Sequence, residues 1–151
     1  MDQAAFWRLI DKIDRDALRD GDEEGAVEPL IEALAEHPES DIRDFENILA
    51  QCLFDIDGEV YADEAGESGQ SADGFLYARC YVVARGKKHY DLVKADPSKM
   101  PKSLDEWCEA LLYVAQQAWA AATGNDEEAW DHDAPVSYET GSNKANWPSE
   151  T

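Results

Sequence analysis

Apolar residues recur every three or four positions from one end of this chain almost to the other. Phe6, Leu9, Ile10, Ile13 and Ala17 form one such stripe. Val27, Leu30, Ile31 and Leu34 form a second, and Ile42, Phe45, Ile48, Leu49, Cys52, Leu53 and Ile56 a third. That period belongs to amphipathic helices, whereas half-buried strands would alternate every second residue. The spacing predicts a helix over residues 3–20, a second from the acidic turn after Gly21 to Pro38, and a third over residues 42–58. Ser40 and Asp41 are the expected N-cap residues of the third.

Beyond the Gly/Ser-rich loop "EAGESGQSADG", Ser71 is placed to cap a fourth helix. The stretch "LYARCYVVA" has the composition of a buried strand. A plausible helix stop at Gly86 and the lack of a hairpin partner favour a helix. "KKHYDLVKA" reads as a short helix ended by Pro97. "SLDEWCEALLYVAQQAWAAATG" reads as the best helix of all. Ser103 and Glu106 form its capping box, Leu104, Trp107, Leu111, Val114 and Ala118 its stripe, and Gly124 its end. The fold class expected is all-α, a single-domain bundle of about five to six helices over residues 1–124. An irregular tail, residues 125–151, packs on it or frays, the fraying expected after Trp147. Trp130, Tyr138 and Trp147 are the residues expected to clamp that tail.

A length of 151 residues is enough for one core without disulfides or metal. Cys52, Cys80 and Cys108 are odd in number and form no C-x-x-C pair, which fits reduced thiols. No apolar run is long enough to span a bilayer, and the N-terminus lacks a secretory pattern, so a cytosolic location is expected. The net charge of −21 is unevenly spread: residues 1–75 carry 22 acidic and 5 basic side chains, residues 76–151 carry 12 and 8. Such a field repels nucleic acid and anionic membrane and attracts a basic partner.

Motifs narrow the chemistry further. "LFDIDGEVYADE", Leu53 to Glu64, matches an EF-hand frame at positions three, five, six, eight and twelve. Its first position is Leu53, which offers no oxygen, and a loop stands where the second helix belongs. Core residues flanked by solvated carboxylates are therefore expected, with no metal. His37, His89 and His132 are too scattered for a zinc ligand set, although His132 lies between carboxylates in "WDHD". No nucleophile elbow, phosphate loop or dinucleotide pattern occurs, so no catalytic residue and no cofactor is assigned. The one basic island, Arg85 to Lys94 with Lys99 and Lys102, is expected to be a solvated face or to neutralise the acidic half, and against the net charge it makes a poor nucleic-acid site.

The wording "DGFLYARCYVVARGKKHYDLVKADPSKM", followed by "EALLYVAQQAWAAATG" and preceded by the opening "FWRLID", resembles the bacterial family known as domain of unknown function 4240. The resemblance implies a mainly helical domain and carries no catalytic residues with it. Members of that family usually place a Trp-containing segment and a Gly-Gly pair ahead of the Asp-Gly-Phe motif, where this chain has "DIDGEVYADEAGESGQSADGF".

Charge, size and missing catalytic motifs together point to a non-enzymatic protein that binds a basic protein partner. Its sharpest form is an immunity protein neutralising a basic bacterial toxin such as a nuclease. The expected contacts are Asp55, Asp57, Glu59, Asp63 and Glu64, with Asp20, Asp22, Glu23 and Glu24 as a second cluster. The alternatives are a regulatory module, or a ligand-binding domain or small enzyme built on an aromatic and arginine pocket of Tyr77, Arg79, Tyr81 and Trp107.

Overall fold

The computed structural model describes residues 1–148, and the fraying expected after Trp147 falls, from residue 149 onward, outside them. The fold is all-α. Eight helices occur among the described residues, where five to six were expected: α1 (Gln3–Ile10), α2 (Arg15–Arg19), α3 (Glu23–Ala35), α4 (Glu39–Asp55), α5 (Glu59–Asp63), α6 (Ala72–Ala84), α7 (Lys87–Ala95) and α8 (Val114–Thr123). The higher count comes from short local caps that cut long periodic stretches into pieces.

The first stretch divides at Asp14, whose carboxylate accepts from the backbone N–H groups of Asp16 and Ala17 and so starts α2 afresh. Asp22 starts α3 in the same way, accepting from Gly25 N–H at 3.0 Å. The N-cap expected at Ser40 or Asp41 is instead Pro38, and both residues lie in the first turn of α4. Asp41 is engaged elsewhere, with His37 at 3.1 Å and with the amino terminus. Ser71 does cap α6, accepting from Gly74 N–H at 3.0 Å.

The largest departure concerns residues 103–124. Glu106 accepts from Ser103 N–H at 3.3 Å, half of the expected capping box, but no helix follows it. Trp107 donates its indole N–H to Ser68 Oγ at 2.8 Å, and Cys108 N–H bonds to Tyr77 C=O at 3.1 Å. These tertiary bonds hold the segment out of a helix, and Leu104 is left 47% exposed instead of joining a buried stripe. A 3-10 turn at residues 109–113 leads into α8, which ends at Gly124 in the left-handed conformation, φ +77°.

Packing centres on α6, which is buried from Gly74 to Ala84 save for half-buried Tyr77, as its apolar residues on every side require. α4 and α7 lie against it, α8 packs on α3 and α4, and α1 rests on α3 and α4. Phe6, Ile10, Leu30, Leu34, Phe45, Leu49, Leu53, Phe75 and Leu111 make one continuous core without exposed area. Cys52, Cys80 and Cys108 are buried, free thiols within it. Trp130, Tyr138 and Trp147 of the irregular tail pack against the same core from outside.

Candidate functional site: an acidic groove beside a latched tail

The N-terminal end of α3 and the segment 109–117 enclose a groove of about 720 Å³. Asp22, Glu23, Glu24 and Glu28 line one wall, Glu109 and Tyr113 the other, with Val27 and Ile31 among its apolar residues. No Lys, Arg or His is among its lining residues. Two of the five carboxylates are held by structural bonds: Asp22 caps α3, and Glu23 accepts from Ala110 N–H at 3.1 Å, tying the two walls together. Glu109 accepts from the Tyr113 hydroxyl at 2.9 Å. Glu24 and Glu28, one helical turn apart and exposed, have no partner among the described residues. The groove is therefore a preorganised negative surface with an apolar floor, suited to a basic side chain and its aliphatic stem.

The second acidic cluster expected from the sequence thus largely coincides with this groove: Asp22, Glu23 and Glu24 line it, and Asp20 is exposed at the end of α2. Two residues escaped the sequence reading. Glu28 was legible, since it follows Glu24 at the i+4 spacing of a helix face. Glu109 arrives from the far side of the fold, and nothing local announced it.

The first cluster does not act as one surface. Asp55 is half-buried, accepting from Gln51 at 2.7 Å and facing Lys94 at 3.7 Å. Glu64 lies 3.6 Å from Lys102, and Glu59 and Asp63 are exposed. Asp57 has no exposed area at all, so it is unavailable as a partner contact in this structure. Its carboxylate accepts from Gly141 N–H at 3.1 Å, Asn143 N–H at 3.0 Å and the Trp147 indole N–H at 3.0 Å. These three donors explain why an acid in an EF-hand-like frame can sit inside the protein: the tail solvates it.

Arg79 is the other half of the latch. Fully buried, it donates to Leu53 C=O at 2.8 Å, Tyr138 C=O at 3.0 Å and Thr140 Oγ1 at 3.1 Å, with its cation 4.7 Å from the centre of the Phe75 ring. Burial lowers its pKa from the ordinary arginine value, and the Asp57 charge opposes that shift. Its Nε–H has no acceptor among the described residues. The pocket proposed from Tyr77, Arg79, Tyr81 and Trp107 does not assemble around Arg79, because the tail fills that space. Tyr77 and Trp107 instead pack edge to face at 5.4 Å, and Tyr81 is buried.

Among the described residues, no three His, Cys, Asp or Glu side chains converge as metal ligands would. No helix of the described residues is long and apolar enough to cross a membrane. No curated protein and no solved structure matches the chain. A family model does match, over residues 1–121, which takes in α1 to α7, both walls of the groove and most of α8, and leaves the latching tail outside. The chain therefore belongs to the family described as Protein of unknown function (DUF4240).

Proposed function

We propose that this is a non-enzymatic interaction protein that captures a basic protein partner, acting in the bacterial cytoplasm as an immunity protein against a basic toxin such as a nuclease. The observation that carries the reading is the α3 groove, with five carboxylates, no cationic lining residue and unpaired Glu24 and Glu28 at its edge. A nuclease active site is basic because its substrate is a polyanion, and a carboxylate-lined surface mimics the phosphates that it binds. Exposed acids placed around such a groove also accelerate encounter with a cationic partner.

The test is affinity capture of the tagged chain from its native lysate at low and at high salt, followed by kinetics on the captured protein. One stoichiometric basic protein is expected, and Glu24→Lys with Glu28→Lys should slow its association by about tenfold or more at low salt, with little change at high salt. Capture of no basic protein, or association indifferent to the double reversal, removes the reading.

A further inference from the structure

A second cleft, of about 420 Å³, lies where the tail crosses α4 and α8. Glu46 of α4 lines it, together with Leu112, Tyr113 and Gln116 on one side and tail residues Trp130 to Glu139 on the other. Glu46 is only 8% exposed, and its carboxylate has no hydrogen-bond partner among the described residues. Among the described residues, Arg79 Nε, outside this cleft, is the one buried side-chain N or O atom sealed from solvent without a partner, so the unpartnered oxygens of Glu46 reach solvent through the cleft that they line. The Tyr138 hydroxyl, also lining the cleft, is likewise unpartnered.

An unpaired buried carboxylate costs stability, and proteins normally satisfy such a group. Asp57 shows how this chain does so elsewhere, with three donors from the tail. At Glu46 the tail passes by and supplies none. The remaining lining selects the missing donor. Asp133 and Glu139 stand exposed at the rim, and no Lys or Arg lines the cleft. His132 is fixed by Asn47 at 2.7 Å and Arg43 at 3.2 Å; the guanidinium can only donate, so the Nδ1 that faces it accepts and the ring is neutral, in line with the lowering of its pKa by burial and the Arg43 charge. Burial raises the Glu46 pKa to about 7, and above that pH the ligand that satisfies its carboxylate is therefore a cation. The carboxylates do not converge as metal ligands would, and Leu112, Tyr113, Val136 and Tyr138 offer apolar and aromatic surface. That combination suits a charged head on a hydrocarbon stem.

We propose that this cleft binds an organic cation, a primary ammonium or guanidinium on an alkyl chain, whose head pairs with Glu46 and donates to the Tyr138 hydroxyl while its stem lies against Leu112 and Val136. The chemistry is shared by a free alkylamine and by the side chain of a lysine or arginine. The site is distinct from the α3 groove, although Tyr113 touches both.

The test is calorimetric titration of the full chain at about pH 8, where Glu46 is ionised, with n-butylamine, butylguanidine, neutral n-butanol and a capped lysine tripeptide. Saturable binding of the cations and none of the alcohol is expected. Glu46→Gln should weaken it by about thirtyfold or more, because a buried charge pair is lost. Glu139→Gln, at the rim, should weaken it by less than about fivefold. Free amines binding more tightly than the tripeptide would identify a small molecule as the source, and the reverse a protein side chain. Equal binding of butanol, equal losses in the two variants, or no saturable binding by the folded chain would overturn the assignment.

Discussion

Two buried carboxylates of this protein meet opposite fates, and the contrast was invisible in the sequence because it is set by residues about 85 positions away. Asp57, which looked like a calcium ligand, is solvated by tail N–H groups. Glu46, inconspicuous between Phe45 and Asn47, is left unpaired, and burial alone raises its pKa to about 7. A carboxyl whose pKa is higher folded than unfolded contributes stability that is complete below the unfolded value, near 4.5, and is lost as pH rises toward 7. Stability should therefore fall across that window by on the order of 2–3 kcal/mol on account of this group. Cys80, Tyr113, His132, Asp133, Tyr138 and Glu139 share its surroundings, so the measurement is the difference between the chain and Glu46→Gln in urea unfolding at successive pH values. The variant should gain on the wild type as pH rises from 4.5 and hold its advantage above 7; parallel pH curves would show that Glu46 titrates as an exposed acid.

At the scale of elements, helical periodicity correctly located most helical surface and misjudged its continuity. Positions such as Phe6, Leu30 and Phe45 are buried where the period places them. The long helix expected over residues 103–124 fails because Trp107 and Cys108 find tertiary hydrogen bonds that outbid the local ladder. Gly86 was legible as a stop, and its φ of +103° and ψ of 169° confirm why glycine stands there. Gly58, the expected end of the third helix, is of another kind, since its φ of −172° is open to any residue and its constraint is contact with the tail. A β-carbon there would come within 2.8 Å of Asn146 Cβ. The two glycines separate two kinds of failure. Gly86→Ala should cost about 1–3 kcal/mol of global stability through backbone strain. Gly58→Ala should chiefly displace the tail, raising proteolytic cleavage within residues 141–147 before the helices unfold. Equal cleavage rates in Gly58→Ala and the wild type would mean that the turn at Asn146 yields without release.

For the whole molecule, the charge imbalance sets a conflict between folding and the proposed recognition. Of the basic residues in the second half, Lys94 and Lys102 turn back to Asp55 and Glu64, so folding neutralises part of the first acidic cluster and none of the α3 groove. Along α3, Glu24, Glu28 and Glu32 follow one another at i,i+4 spacing, each exposed, and like charges at that spacing oppose the helix. At about 0.01 M salt the screening length is about 30 Å, long enough for these charges to act together across the fold, and at about 1 M it is about 3 Å. The urea midpoint should therefore rise with NaCl over that range. Glu28→Lys, which sets a lysine between Glu24 and Glu32, should stabilise the chain by about 0.5–1 kcal/mol at low salt and flatten its salt dependence. The same substitution should weaken capture of a basic partner, so stability and binding should move in opposite directions. That divergence is what a surface kept acidic for recognition predicts, and a variant that gained stability without losing partner affinity would reduce the groove to a soluble face of the bundle.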